Sequence, residues 1–411
     1  LMRVCVVGSG GREHALAHVL SRSAEVVVTP GNPGIPGSVA TPPEELDADL
    51  FVIGPEQPLV DGLADRLRQQ GDLVFGPGAD GARLEGSKAW MKELLAEAGV
   101  PSAGHGVFTD RASALAYLDQ MEGLFVIKTD GLAAGKGVLV TDDRSQAVEA
   151  VGRYLSGAAF GDAGRRVVIE EGLSGPELSV LAVCDGTTAV PLAPAQDFKR
   201  LGDGDLGPNT GGMGAFSPVP VATADVVDSL MEDAVLPTLA VLRSRGIDYR
   251  GVLYCGLMFT PDGPRVLEYN VRFGDPETQV VVPRFTSDLA DLLASAAAGT
   301  ISEAPTFDDG AAVGVVCASP NYPGSPHTGD PVEGISAASA VDGVTVFCAG
   351  VSEAQGRLVT AGGRVLTVTA TGSTVPEARD SAYRAVAEIS WPGMQYRTDI
   401  AGVALGAVIT G

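Results

Sequence analysis

The chain has 411 residues, 45% hydrophobic and 19% charged, which is enough apolar material for two or three packed domains. Its formal net charge of −23 repels phosphate polymers, so neither a nucleic acid nor an anionic membrane is expected as a partner. A small anionic substrate is compatible with that charge only where cations gather in a cleft.

The first residues, MRVCVV at 2–7, read as a buried strand running into GSGGREHALAHVL, a glycine turn followed by a helix. They contain no signal-peptide pattern, and no apolar run in the chain reaches membrane-spanning length. Further strands at 25–29, 50–54 and 73–76, with a helix near 61–70, predict a parallel doubly wound sheet. The dinucleotide fingerprint is broken, because Glu13 stands where its third glycine belongs. Gly8, Gly10 and Gly11 therefore serve either a plain tight turn or a helix N-terminus that approaches a small anion. Ser87 caps a helix predicted at 87–98.

Residues 105–190 alternate helices at 110–120 and 145–155 with strands at 124–128, 137–141, 166–171 and 177–184. The strands on either side of TDGLAAGKG predict a hairpin with a glycine-rich tip, suited to close over a ligand. The tip is not a P-loop: three residues rather than four separate Gly131 from Gly135, and Gly137 follows Lys136. From 191 a second α+β portion brings the polar loop AQDFKRLGDGDLGPNTGGMGAFSP, a helix at 223–244, strands at 251–259 and 264–270, and the helix DLADLLASAAAG. After 305 the chain becomes strand-rich and ends in a helix at 375–389. Domains are thus expected at 1–100, 101–295 (with halves 105–190 and 191–295) and 305–411.

Cys5, Cys184, Cys255, Cys317 and Cys348 form no C-x-x-C pair and read as reduced, buried thiols of a cytoplasmic protein. Of 28 basic residues only five are lysines, Lys88, Lys92, Lys128, Lys136 and Lys199, which marks 88–199 as the place to seek sites needing a compact ammonium. Lys92, one turn beyond Lys88, reads as a solvated surface residue. Lys128 ends an apolar strand, where a buried ammonium needs a partner such as a phosphate.

In the strand VLEYNVRF, Glu268 and Asn270 share a face and offer two oxygens, an arrangement suited to Mg²⁺ completed by phosphates and water. Arg272 continues that face toward a phosphate or carboxylate. The competing view is a solvated sheet edge. The acid pair Glu170 and Glu171, with Glu177 at the next strand, suits ribose hydroxyls, although such pairs also occur on solvated turns. Asp197, Lys199 and Arg200 flank a glycine loop whose free amides would nest an anion. His14, His18, His105 and His327 form no zinc set, and His14 and His18 take ordinary surface or core roles.

Strand-borne Lys128, the segment DGLAAGKG, the Glu171–Glu177 turn and the strand Glu268-x-Asn270 resemble the ATP-grasp fold. Together with GSGGREHAL, GNPG, GPEQPLV, GPNTGGMGAFSP, NVRFGDPETQ, YPG…TGD and GGRVLTVTA, they resemble the glycinamide ribonucleotide synthetase (phosphoribosylamine–glycine ligase) family over nearly the whole chain. The resemblance implies a Rossmann-like parallel sheet, a central ATP-grasp fold and a small β-rich α+β C-terminal domain. It implies ATP- and Mg²⁺-dependent ligation of glycine to 5-phosphoribosylamine through glycyl phosphate, with Mn²⁺ able to replace Mg²⁺, by a monomer. Lys88 and Lys128 would contact ATP phosphates under a flap of Gly131, Gly135, Lys136 and Gly137. Glu170, Glu171, Leu173 and Glu177 would hold adenosine, and Glu268 and Asn270 the metal. Asp197, Lys199, Gly211, Gly212, Gly214 and Arg272 would orient glycine, the acyl phosphate or the amine, with Lys128, Asp197 and Arg272 catalytic. Gly8, Ser9, Gly10, Gly11 and Arg12 would take the ribose phosphate.

The chain departs from the family pattern at Phe198, where a His is usual, at Gly172 in place of a bulky hinge residue, at Phe216 for a tyrosine, and in ASPNYPG. Rivals are another ATP-grasp ligase, such as a carboxylating one, and a nucleotide-binding regulator without turnover. A dinucleotide-dependent dehydrogenase is undercut by Glu13.

Overall fold

Runs of β-branched residues buried on both sides at the start of the chain build a parallel sheet in the structure, a computed structural model that describes residues 1–132, 137–157, 159 and 165–402. Its strands β1 (Arg3–Gly8), β2 (Glu25–Pro30), β3 (Leu50–Ile53) and β4 (Val74–Phe75) lie in the order β2-β1-β3-β4. Helices α1 (Gly11–Leu20), α2 (Glu56–Val60), α3 (Leu63–Gln70) and α4 (Ala79–Gly86) belong to this part. Next comes α5 (Lys88–Ala98), capped as expected by the Ser87 hydroxyl, which accepts from the Trp90 amide.

The second sheet is antiparallel. It orders β5 (His105–Phe108), β6 (Phe125–Thr129), β7 (Val138–Thr141) and β8 (Val167–Glu171) as β5-β8-β6-β7. Helices α6 (Arg111–Leu118) and α7 (Arg144–Leu155), each started by an aspartate cap, pack on it around Phe125, Ile127, Val151 and Tyr154. Gly135 and Lys136, at the tip of the β6–β7 hairpin, lie outside the described residues.

β9 (Glu177–Asp185) and β10 (Ala189–Pro191) begin a third sheet. The polar stretch after them forms β11 (Gln196–Asp197), β12 (Arg200–Gly202), β13 (Leu206–Asn209) and β14 (Gly214–Ser217). The helix expected at 223–244 is α8 (Ala224–Leu230) and α9 (Leu236–Ser244), joined by a π turn over Met231–Val235. β15 (Arg250–Thr260) and β16 (Gly263–Asn270) complete the order β10-β9-β15-β16, followed by α10 (Thr278–Val281) and α11 (Leu289–Ala298).

The C-terminal part comprises β17 (Ala311–Ala318), α12 (Ile335–Ser339), β18 (Val344–Cys348), β19 (Val351–Ala354), β20 (Arg357–Thr360), β21 (Arg364–Gly372) and α13 (Val375–Val386). β17 is buried along its whole length, between β14 and β21 in the sheet β11-β14-β17-β21-β18 and under α13.

Strand pairing redraws two expected divisions. β9 was grouped with the hairpin-bearing half, with the break at 190; it pairs instead along β15 from Glu177 to Asp185, so the halves part between Glu171 and Glu177. β14 pairs with β17 from Ser217 to Gly214, which carries the 196–217 loop into the sheet of the C-terminal strands.

Candidate active site

Two cavities, of about 410 and about 500 Å³, share a wall of Val138, Asp197, Lys199, Thr210 and Glu268. The first is lined from the N-terminal part by Arg12, Glu56, Glu85 and Lys88, and from β16 and beyond by Asn270 and Arg272. The second lies between the sheets of β6 and β9 and has an apolar side of Leu124, Val126, Val140, Leu173, Met258 and Leu267. Period-two alternation on β16 turns Glu268 and Asn270 to one face, as the sequence implies, and both reach the first cavity.

Ammonium groups converge on this wall. Lys88, in the first turn of α5, donates to the Gly131 carbonyl at 3.0 Å. Lys128 lies 3.0 Å from Glu170 Oε1 and donates to the Leu267 carbonyl at 3.3 Å. Lys199 bridges Glu177 Oε2 at 2.9 Å and Asp197 Oδ1 at 3.5 Å. Burial works to raise the Glu268 carboxyl, but Lys199, Lys128, Lys88 and Arg272 outweigh it and hold Glu268 ionised below its ordinary range. Asp197 goes the other way: burial pushes it up to about 7, Lys199 draws it down, and the carboxylates of Glu277, Glu177 and Glu268 add to the rise.

The side chains of Glu268 and Asn270 make no hydrogen bond or ion pair among the described residues, so their oxygens are available to a cation. No cluster of three or more acidic, histidine or cysteine ligands occurs among the described residues. Two protein oxygens beside a group of ammonium side chains therefore fit a divalent cation that completes its shell with water and ligand oxygens, better than an ion needing a full protein cage.

Several expected roles change. Arg272 reaches the cavity, but its guanidinium is clamped by Glu56 Oε2 at 3.1 Å and Glu85 Oε1 at 2.9 Å, which keep it firmly charged against burial. The glycine loop does not offer a free nest: the Gly211 amide donates to Tyr322 Oη at 2.8 Å, Gly212 to Thr210 Oγ1 at 3.0 Å, and Met213 to the Phe198 carbonyl at 2.7 Å. Gly211 alone of the three expected glycines borders the cavity; at Gly214 a side chain would meet the Gly314 carbonyl and Ile400 at 2.7 Å. At the N-terminus the chain's own Glu13 occupies the anion position. Its carboxylate accepts from the Gly10 amide at 2.7 Å and from Arg12 Nε at 2.5 Å, and it packs where a Gly8 side chain would go. Ser9 and Gly10 instead line a separate pocket of about 250 Å³ with Asp275, Ala349, Gly350, Arg364 and Thr367.

Glu171, Leu173 and Glu177 line the second cavity, and Gly131 and Gly137 the first. Glu170 also borders the second cavity, yet it is only 2% exposed and ion-paired to two lysines. One of these is Lys92, which is not a solvated residue at all but 1% exposed. Sequence reasoning missed Tyr254, whose hydroxyl donates to Glu277 Oε1 at 2.9 Å, and Arg364, which holds the Gly211 and Asp275 carbonyls. Glu277 and Arg364 were visible in the motifs GDPE and GGRV; nothing flagged Tyr254.

Sequence models of the phosphoribosylglycinamide synthetase N domain, ATP-grasp (A) domain and C domain match residues 2–85, 86–278 and 312–403. The chain belongs to the phosphoribosylglycinamide synthetase family. A phosphoribosylamine–glycine ligase of Streptomyces coelicolor is 49% identical over 426 residues, covering 99% of this chain and 100% of that protein. The crystal structure of the Thermotoga maritima phosphoribosylamine–glycine ligase, 36% identical, covers 97% of this chain and 100% of its own, with a TM-score of 0.86. The biotin carboxylase domain of Hydrogenobacter thermophilus 2-oxoglutarate carboxylase, solved with MgADP, shares the fold at 16% identity, with a TM-score of 0.72 over 96% of this chain and 92% of that one. As a member of the phosphoribosylglycinamide synthetase family, the chain is an ATP-grasp ligase. No described helix is long and apolar enough to cross a membrane.

Proposed function

We propose that the chain joins glycine to 5-phosphoribosylamine, consuming ATP and releasing glycinamide ribonucleotide, ADP and phosphate in purine synthesis. The observation that carries this reading is the meeting of two cavities at Glu268, Asp197 and Lys199, in a chain matched along its length by one ligase family. The apolar cavity takes adenosine, with Leu173 against the base and Glu171 and Glu177 toward the ribose. Lys88 and Lys128 hold the triphosphate at the junction, where Gly131 and Gly137 border the first cavity. Glu268 and Asn270 hold Mg²⁺ or Mn²⁺, which supplies neutralisation of phosphate charge.

Glycine's carboxylate attacks the γ-phosphorus and ADP departs. The 1-amino group of phosphoribosylamine then attacks the carbonyl of glycyl phosphate, phosphate leaves, and the nitrogen loses a proton. Positioning and charge neutralisation in a water-poor cleft do most of this work, since an acyl phosphate survives only where water is kept away. Asp197, poised near neutrality beside Lys199, is suited to accept that proton. Arg272, immobilised by Glu56 and Glu85, presents a fixed cationic face to the reacting carboxylate. The pocket that Ser9 and Gly10 line with Arg364 takes the ribose phosphate, Gly8 and Gly11 shape the turn, and Arg12, tied to Glu13, faces the first cavity instead. The same reading has the chain act as a monomer, and in a reducing cytoplasm, to which its five buried, unpaired cysteines are suited.

The test supplies ATP and Mg²⁺ with glycine and freshly formed phosphoribosylamine. Phosphate release that requires both substrates supports the proposal; release driven by bicarbonate with another ribonucleotide would overturn it.

A further inference from the structure

Lys92 lines neither cavity, yet its ammonium is fully enclosed. It lies one helical turn after Lys88 on α5 and reaches Glu170 Oε1 on β8 at 3.3 Å. The same oxygen lies 3.0 Å from Lys128 on the neighbouring strand β6. One carboxylate oxygen thus faces two ammonium groups, and only Lys128 of the two borders the nucleotide cavity. Lys92 Nζ makes no well-aligned hydrogen bond among the described residues, so its enclosure weighs against folding and its tie to Glu170 is chiefly ionic.

Charge bookkeeping shows what the group achieves. Glu170 paired with Lys128 alone would form a neutral couple and leave nothing for an incoming phosphate. With Lys92 present, the cluster carries one net positive charge. The buried lysine cannot reach a ligand, so that surplus is expressed at Lys128. We propose that Lys92 is a positioning residue that neutralises Glu170 from behind, leaving the Lys128 ammonium charged and available to the nucleotide phosphates. The inference rests on the nucleotide reading given above and adds to it a residue outside the cleft.

Four variants of the full chain test it: Lys92→Met, Glu170→Gln, the double Lys92→Met/Glu170→Gln, and Lys92→Arg. Counting charge alone, the cluster stands at +1 in the wild type, 0 in the first, +2 in the second, and +1 again in the double. Lys92→Met is expected to raise the KM for ATP, and the Kd for MgATP by calorimetry, roughly tenfold or more, the loss of about one charge-assisted contact. The KM values for glycine and phosphoribosylamine should stay put. The double variant should return ATP affinity to within roughly threefold of wild type, and Lys92→Arg should keep it. A double variant as weak as Lys92→Met, or a change spread equally over all three substrates, would mean that Lys92 only packs, and the inference falls. Should Lys92→Met not fold, the double variant against wild type decides alone: similar MgATP affinity supports the inference, and a loss beyond roughly tenfold overturns it. Calorimetry needs no turnover, so a wild type that binds MgATP but ligates nothing would sink the proposed function while leaving this comparison intact.

Discussion

Acidification should loosen the seam between the N-terminal helix and the C-terminal sheet through one residue, His14. Its ring is 8% exposed on α1, stands edge-on to Phe347 at 5.5 Å, and accepts at Nδ1 from the Cys348 amide at 2.9 Å. A proton at Nδ1 would face another donor. Burial above all, with repulsion from His18, pulls the imidazole from 6.5 down to about 4. The unfolded chain binds this proton below about pH 6.5 and the folded chain only below about 4, so acid favours unfolding across that window. The gap corresponds to about 3 kcal/mol in full, and about 2 kcal/mol of it is lost between pH 7.5 and 5.0. In His14→Asn the amide oxygen keeps an acceptor for Cys348 but does not titrate. Urea unfolding followed by tryptophan fluorescence at both pH values should show the wild type losing about 2 kcal/mol more than His14→Asn on acidification. Equal losses, or a His14 imidazole titrating near 6.5 by NMR, would refute the argument. The consequence reaches the site, because Ala349, next to Cys348, lines the pocket with Ser9 and Gly10.

Glu268→Ala should lower kcat for ADP formation on the order of 10²- to 10³-fold while thermal unfolding barely moves; unchanged turnover would remove the metal assignment. With Asp197 raised to about 7, its ionised form accumulates above neutrality, so kcat/KM for phosphoribosylamine should climb with pH below about 7 and level off above it. Asp197→Asn should flatten that limb, and a limb that survives would point to another base. A methyl group at Gly172 would overlap the Leu124 side chain, which lines the second cavity, the one proposed to take adenosine. Gly172→Ala should therefore destabilise the protein by about 1–3 kcal/mol and raise the KM for ATP. Since the nearest atom is Leu124 Cβ, which alanine would keep, Leu124→Gly in the same chain should ease the overlap and bring the KM back toward wild type, and no relief would mean that the strain lies elsewhere.

What was legible depended on how local the determining physics is. Glu268 and Asn270 could be placed because strand alternation alone puts two residues on one face. The Ser87 cap could be read for the same reason, since its partner is three residues away. Groups whose state is set by a distant partner were misread. The amide of Gly211 is satisfied by Tyr322, 111 residues on, so no local pattern shows that the loop is already saturated. Lys92 looked solvated on a helix of mixed polarity, and only the approach of β8, bearing Glu170, encloses it. The pairing of β9 with β15 likewise depends on a strand about seventy residues further along, so nothing near Glu171 marked the end of the hairpin-bearing half. Gly172 shows the intermediate case: a departure visible in the sequence, whose meaning lies in Leu124 filling the vacated space.

The cleft also qualifies the simple expectation that an acidic protein binds an anion by massing cations. Three of the four cations at the wall already have a carboxylate beside them: Lys128 has Glu170, Lys199 has Glu177 and Asp197, and Arg272 has Glu56 and Glu85, whereas Lys88 donates to the Gly131 carbonyl. Unpaired, these buried charges would oppose folding. Paired, they hold fixed directions, but little net positive charge is left over for a triphosphate. Glu268, half-buried where the two cavities meet, has no ion pair among the described residues and is held ionised by the combined pull of four cations. On the function proposed above, the wall would receive charge of both signs together, a divalent ion at Glu268 and phosphates at the ammonium groups, rather than a bare anion. On that reasoning the acidic balance of the chain is no obstacle to nucleotide binding, because the attraction is local and is completed by the ion that arrives with the ligand.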